Sequence, residues 1–433
     1  MKVNKRRVKK FLRIFTISIV SLLLVSISLF FIFLDSIIES RIKSLIEKKF
    51  GSYYTLSFDD IEKDIRITNM TFVVNHPKFV TDTSDFENME RYPVIFFEAK
   101  ELRIENLNTW DVLLGSDLEL ESLILSEPQL DFYTTKGVQQ KTTSKAQEGR
   151  NNALLNQIKV ENLAIENGTV NIVDFDSKHL LLSNESTDIT IETPVFNLNQ
   201  MDDIASAFQF EKFNISSSQT RFTPKNSIYS FSLDTLSIQS HLNAMALKRI
   251  AISTKESLKE ESEKLNSQRE LVNIIVSKID IFNFDFNDLI DNQEIDIQKI
   301  VIAESDFDIF KNKTTTAYPH FTKSVLNKMI RKVPFPFSVD TIDMESSHLT
   351  FELMNSKAVT PAKINLVDVS GTIFNFNNDL QRQDTLQIEC QTRFMNVGDL
   401  AFEVKIAVHD SVDNYQEFKG TLGKMNYSEF NPI

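Results

Sequence analysis

Six histidines, one cysteine and several paired carboxylates are the residues of this 433-residue chain best suited to chemistry. His76, His179, His241, His320, His348 and His409 lie far apart. None forms the HxH, HxxxH or HExxH spacing that sets two imidazoles on one metal. The nine glycines make no GxGxxG, P-loop or GxSxG pattern, so neither a phosphate cradle nor a nucleophile elbow is present. Asp59-Asp60 and Asp202-Asp203 sit among turn residues and read as solvated loops. Cys390 lies in the alternating stretch LQIECQTRF, where it reads as a small buried hydrophobe, and a single cysteine permits no intramolecular disulfide. Sequons begin at Asn69, Asn167, Asn184, Asn214, Asn312 and Asn426, but Asn167-Gly168 reads better as a hairpin turn, because both residues tolerate positive φ. The expectation is therefore no enzyme: no catalytic residue, no metal and no cofactor. The remaining catalytic alternative is an envelope hydrolase whose carboxylates come together from distant strands.

Composition sets the frame for these residues. Hydrophobic residues make up 42% and charged residues 25%, the balance of a folded protein. Charge is unevenly spread. Residues 1–13 hold seven bases and no acid, which leaves 40 Lys and Arg against 60 Asp and Glu in the rest, a net charge of −20. An acidic body gives no footprint for nucleic acid. Ile14–Leu34 is 21 residues without a charge, and as a helix it would span ~31 Å, matching a hydrocarbon core of ~30 Å. It is longer than a signal-peptide core of roughly 7–15 residues. The basic tail before it, with Asp35 and Glu39 after it, predicts a single-pass signal anchor with a cytoplasmic N-terminus and the acidic body across the membrane.

Beyond the anchor, Ser36–Phe50 has the apolar spacing of a short amphipathic helix. From Tyr54 onward the period becomes two, the mark of strands with one buried face. Thr109–Gly115 interrupts as a helical turn, with Trp110 expected to pack. One pattern recurs: apolar residues at offsets 0, 3, 5, 10 and 12 in Leu120–Phe132, Val160–Ile172, Ile297–Ile309 and Val339–Phe351. Val276–Asp288 fits four of the five, and Leu233–Ile238 and Leu247–Ile252 carry the first half. Each full copy parses as strand, tight turn (SEP, ENG, ESD or SSH), strand. The step of three from offset 0 to offset 3 indicates a bulge. On this reading one apolar face is lined by Leu123, Leu125, Leu130 and Phe132. It continues through Leu163, Ile165, Val170 and Ile172, then Ile300, Ile302, Phe307 and Ile309, then Ile342, Met344, Leu349 and Phe351.

Three segments fall outside the pattern. Residues 134–157 are polar and read as a flexible loop, 253–270 as a charged insert, and Thr322–Val333 as a basic amphipathic helix. The predicted order is a basic tail (1–13), the anchor (14–34), an amphipathic helix (35–53) and three β portions (54–133, 158–252 and 271–433). The fold class expected is mainly β: an N-terminal transmembrane helix, then an elongated, curled antiparallel repeating β-groove sheet with a few short helices.

A sheet with one apolar face must hide it, either against a second sheet or under acyl chains that the hydrophobic effect holds there. The order of features resembles the AsmA-like proteins of Gram-negative bacteria, in their Bacteroidetes form. The resemblance runs through the basic tail and anchor, IEKKFGSYYTLSFDDIEKDIRITNMTF and VIFFEAKELRIENLNTWDVLLGSDLELESLILSEPQLDFY. It continues in KVPFPFSVDTIDMESSHLTFE, with its Phe351-Glu352 pair, and in GTLGKMNYSEFNPI. The resemblance implies an inner-membrane protein with a periplasmic β-groove. It also implies a role in outer-membrane biogenesis or phospholipid transport, alongside TamB-like and YhdP-like relatives. Its implied partners are the membrane, phospholipid or another acyl lipid, and envelope proteins. Such proteins continue past the point where this chain ends, so the third β portion is read as truncated. The alternative is a non-catalytic envelope scaffold made of packed β-domains.

Overall fold

The computed structural model describes residues 54–66, 68–81, 94–114, 117–134, 156–197, 208–316, 326–356, 358–378, 385–408 and 416–430. The basic tail, the anchor, the amphipathic helix and nearly all of the 134–157 loop lie outside the described residues, as do Asp202-Asp203, His320 and His409. Among the described residues no helix is long and apolar enough to cross a membrane.

Alternation becomes strand along almost the whole described chain. The protein is mainly β, and the twenty-two strands among the described residues belong to one sheet, mostly antiparallel. Six times, two short collinear strands face one neighbouring line and act as a single rung. These are β1 with β2 (Tyr54–Ser57, Asp60–Ile65), β3 with β4 (Asn69–Asn75, Lys78–Thr81) and β5 with β6 (Val94–Glu98, Glu101–Asn108). The other three are β7 with β8 (Asp117–Ser126, Gln129–Thr134), β10 with β11 (Leu180–Glu192, Val195–Asn197) and β12 with β13 (Phe208–Gln209, Lys212–Phe222). Ten rungs are single strands. They are β9 (Gln157–Asp174), β14 (Tyr229–Gln239), β15 (Ala244–Thr254), β16 (Glu270–Phe284) and β17 (Ile295–Asn312). The last five are β18 (Phe337–Met354), β19 (Ala362–Asn377), β20 (Leu386–Phe394), β21 (Gly398–Ile406) and β22 (Gln416–Leu422). The result is sixteen rungs, each paired with the rungs before and after it in sequence. All extensive strand contacts are between hydrogen-bonded neighbours.

Two joins are parallel: β7 and β8 with β9, and β17 with β18. A parallel join must carry the chain back along a whole rung. The chain therefore returns between Thr134 and Gln157 and between Asn312 and Phe337, where the sequence pattern of strands is interrupted. An 18-residue rung is roughly 60 Å long, and a 24-residue connection reaches ~80 Å when extended.

The strand–turn–strand parse of the repeat is corrected. β9, β17 and β18 run straight through the ENG, ESD and SSH segments, and β7 passes into the collinear β8 across Glu127-Pro128. A two-residue type I′ hairpin needs positive φ at both central residues. Each copy has only one, at offset 7: Glu127 (φ 48°), Asn167 (52°), Glu304 (50°) and Ser346 (48°). One left-handed residue inserts a bulge and the strand continues. Asn167-Gly168 is therefore no hairpin turn. His348 is likewise not in a turn: it lies exposed in mid-β18, 3.7 Å from Asp306.

Four short helices sit at the rung ends: α1 (Thr109–Leu114), α2 (Leu258–Leu265), α3 (Phe286–Asp291) and α4 (Leu326–Arg331). α1, α3 and α4 occupy one margin of the sheet and α2 the other. The charged insert is the helix α2. Its capping box has Ser257 Oγ accepting from the Glu260 N–H at 3.3 Å while the Glu260 carboxylate accepts from the Ser257 N–H at 3.2 Å. α3 starts at Asp285, which accepts from the Asn287 and Asp288 N–H groups at 3.0 Å. The first margin holds three apolar clusters, around Met70, Leu107 and Val160, around Phe284, Phe286 and Ile297, and around Ile330, Leu386 and Ile406. Phe286 on α3 meets Phe213 of β13, three rungs back from β16, with ring centroids 5.3 Å apart. α1 forms as expected, but Trp110 does not pack: it is 54% exposed.

Candidate functional site: an uncovered apolar face

The five apolar offsets of the repeat coincide across each parallel join. Leu123 faces Leu163, Leu125 faces Ile165, Leu130 faces Val170 and Phe132 faces Ile172. Ile300 faces Ile342, Ile302 faces Met344, Phe307 faces Leu349 and Ile309 faces Phe351. All sixteen residues lie on one face of the sheet and all are half-buried.

Pairing extends that face across every rung. One column starts Ile61–Val74–Leu102–Leu125–Ile165 and continues Ile189–Ile215–Ile238–Met245–Ile281. It then passes through Ile300–Ile342–Ile373–Ile388–Val404 to Phe418. Sixteen consecutive rungs each contribute one apolar residue, half-buried in every case except the exposed Phe418, and Ile61, Ile238, Met245, Ile281, Ile300, Ile342, Ile373 and Val404 pack against the buried clusters at the first margin. At ~4.8 Å per rung the column is roughly 70 Å long. A second column runs Ile95–Phe132–Ile172–Leu182–Phe222–Phe231, then Ile252–Ile274–Phe307–Leu349–Leu366–Phe394. Five of its twelve members are phenylalanine, and none of either column is charged.

Between the columns runs the line of bulges. Its left-handed residues are His76, Glu127, Asn167, Gln219, Arg249, Glu304, Ser346 and Asp368. The residue after the bulge returns to the apolar face and is small and buried in all four full copies: Pro128, Gly168, Ser305 and Ser347. A Cβ on Gly168 would lie 3.2 Å from both Ile165 Cγ2 and Pro128 Cγ, so the line leaves no room for bulk. Where β10 and β13 cross it, Asn184 is buried and fully engaged. The two hydrogens of its amide are shared among Ser217 Oγ (2.6 Å), the Ser218 carbonyl (3.0 Å) and Thr220 Oγ1 (3.0 Å), and its carbonyl accepts from Thr187 Oγ1 (2.7 Å). This network is saturated and reads as a pin for the bulge.

Charge lies on the opposite face. Lys159 meets Glu119 at 3.1 Å and Lys299 meets Asp343 at 2.8 Å. The hydrogen bond from Lys299, joined by one from Thr372 and opposed by partial burial, holds the Asp343 carboxyl below its ordinary range. Cys390 is half-buried on the apolar face between Gly371 and Phe402, and burial pushes its thiol pKa up. That opposes thiolate formation. Among the described residues no group of three His, Cys, Asp or Glu side chains could hold a metal ion.

The sequence template caught the antiparallel rungs only in part, as in β14, β15 and β16. Read from the N-terminus, their apolar steps are reversed, as in Val272, Ile274, Val276, Ile279, Ile281 and Phe284, or Ile95, Phe97, Ala99, Leu102, Ile104 and Leu107. A template run in both directions finds them. Neither a protein-family model nor a curated protein sequence matches the chain.

Proposed function

We propose that this chain is an AsmA-like protein, anchored in a bacterial inner membrane by Ile14–Leu34, whose periplasmic β-sheet curls into an elongated groove that binds or conducts phospholipid in outer-membrane biogenesis. The supporting observation is the first column: sixteen apolar residues in register across sixteen rungs, with fifteen half-buried and Phe418 exposed. Monomeric soluble proteins rarely expose contiguous apolar patches beyond a few hundred Å². A face about 70 Å long needs a cover, and the extensive strand contacts among described residues supply no second sheet. Acyl chains meet the requirement without any catalytic group.

The test is mass spectrometry of lipids that remain with the full chain after extraction in mild detergent. Retained phospholipid that is lost from Leu125→Asp or Ile302→Asp supports the reading. A folded, lipid-free protein overturns it. A second reading, a non-catalytic envelope scaffold, draws on the exposed Trp110, Leu242, Leu289, Ile290 and Met329 at the first margin. It predicts that charges placed there abolish capture of protein partners and leave lipid content unchanged.

A further inference from the structure

Residues 309–339 hold six Lys and Arg and no acid, although the chain past residue 13 carries a net charge of −20. α4 lies in this stretch and has two faces. Inward, Ile330 joins the buried cluster of Leu386, Ile406 and Val408. Asn327 is buried as well, and Arg331 Nε donates to the Val408 carbonyl. Outward, Leu326 and Met329 are 40% and 56% exposed, three residues apart and therefore neighbours on the helix surface. Lys328 and Lys332 are also exposed, and among the described residues neither ammonium group has a carboxylate partner.

Phe335 follows, 42% exposed between Pro334 and Pro336. Proline fixes its own φ. Asn378 fastens the segment further: its Nδ2 donates to the Phe335 carbonyl at 2.8 Å, and its Oδ1 accepts from the Phe337 N–H at 2.9 Å. Three large apolar side chains and two cations are thus held outward on a fixed backbone, so docking orders little new chain. Apolar groups set among lysines match an anionic lipid surface, where the first enter the headgroup boundary and the second meet phosphates. The pattern stops at the segment after α3. Glu294 is exposed there beside Pro336, whose carbonyl accepts from the Ile295 N–H at 3.0 Å, and its carboxylate opposes anionic lipid.

We infer that α4 and Phe335 form a docking surface for an anionic phospholipid bilayer. Leu326, Met329 and Phe335 seat in the headgroup boundary, and Lys328 and Lys332 meet the phosphates. None of the five belongs to either column, so this surface does not depend on lipid being held by the apolar face.

The test uses the full chain in nanodiscs. An environment-sensitive thiol dye is placed at Met329→Cys or Phe335→Cys, with Cys390→Ser as background. Val397→Cys, at an exposed site between β20 and β21, is the control position. Phosphatidylglycerol is supplied either within the nanodisc or in added vesicles, against phosphatidylcholine alone, which separates the protein's own bilayer from an apposed one. The expected result is a rise in emission of roughly twofold or more with phosphatidylglycerol in at least one arm. It occurs at 329 and 335 and not at 397, and is lost in high salt and in the Lys328→Glu/Lys332→Glu variant. No rise at 329 or 335 in either arm overturns the proposal, as does a rise that salt and charge reversal leave intact. A rise produced by soluble envelope proteins and not by lipid also overturns it, and assigns the surface to a protein partner.

Discussion

Ile300 and Ile342 stand opposite each other on adjacent parallel strands, in register and both half-buried. Each extends a column that passes from rung to rung without a polar interruption, so a charge at one position breaks the column at that point.

Leu125→Asp and Ile302→Asp test that continuity. Both side chains are partly buried and neither belongs to a buried cluster at the first margin, so the variants should fold, with circular dichroism close to that of the parent. Lipid retention should fall. One side chain's cover by an acyl chain contributes about 1.5–3 kcal/mol, which corresponds to a loss of roughly tenfold or more in affinity. Quantitative mass spectrometry of co-purified lipid reads the change, and parental lipid content in both variants would contradict it.

Gly371 tests the closeness of neighbouring rungs. A Cβ there would stand 2.3 Å from the Glu389 carbonyl oxygen. The clash is with backbone, which cannot rotate away. Gly371→Ala should lower stability by about 1–3 kcal/mol through overpacking, measured as a shift in the chemical-denaturation midpoint. Gly168→Ala, whose Cβ would meet Ile165 Cγ2 and Pro128 Cγ at 3.2 Å and the Thr187 carbonyl oxygen at 3.3 Å, is crowded as well but lacks a contact as short as 2.3 Å, and should cost less.

Asn167 tests the bulge. Its φ is 52°, a region asparagine visits routinely and alanine does not. Asn167→Ala should destabilise by about 1 kcal/mol, while Asn167→Gly should be close to neutral or better. Equal losses in the two variants would remove the left-handed conformation as the cause.

Asp343 gives a pH dependence with a definite sign. Its folded pKa lies below the ordinary carboxylate value. The Lys299 contact therefore contributes stability above the unfolded pKa of about 3.9 and loses it as pH falls toward the folded value. Asp343→Asn should flatten the acid side of the stability profile below about pH 4. Urea midpoints measured from pH 3 to pH 7 would show this, and an unchanged acid slope would rule out the contact as its source.

The face was legible in the sequence because parallel, in-register neighbours repeat the same offsets. The four full copies are the four rung lines at the two parallel joins. Direction was not legible. A hairpin and a bulged straight strand use the same Asn, Gly and Ser residues, and only the number of left-handed residues separates them. Trp110 misled for another reason: a lone aromatic in a helical turn ordinarily packs, yet this helix turns it outward at the sheet margin. Small residues such as Pro128 and Ser305 looked like turn residues, although their size serves the tight bulge line.

Because each rung pairs with its sequence neighbours, the molecule grows in fixed increments. Removing an antiparallel pair such as β14 and β15 would bring β13 beside β16 with strand direction and inner face preserved. The column would shorten by roughly 10 Å. Length is thus a countable property of this architecture, set by the number of rungs, so the distance a protein of this type can bridge is adjustable in steps without redesign of any single site.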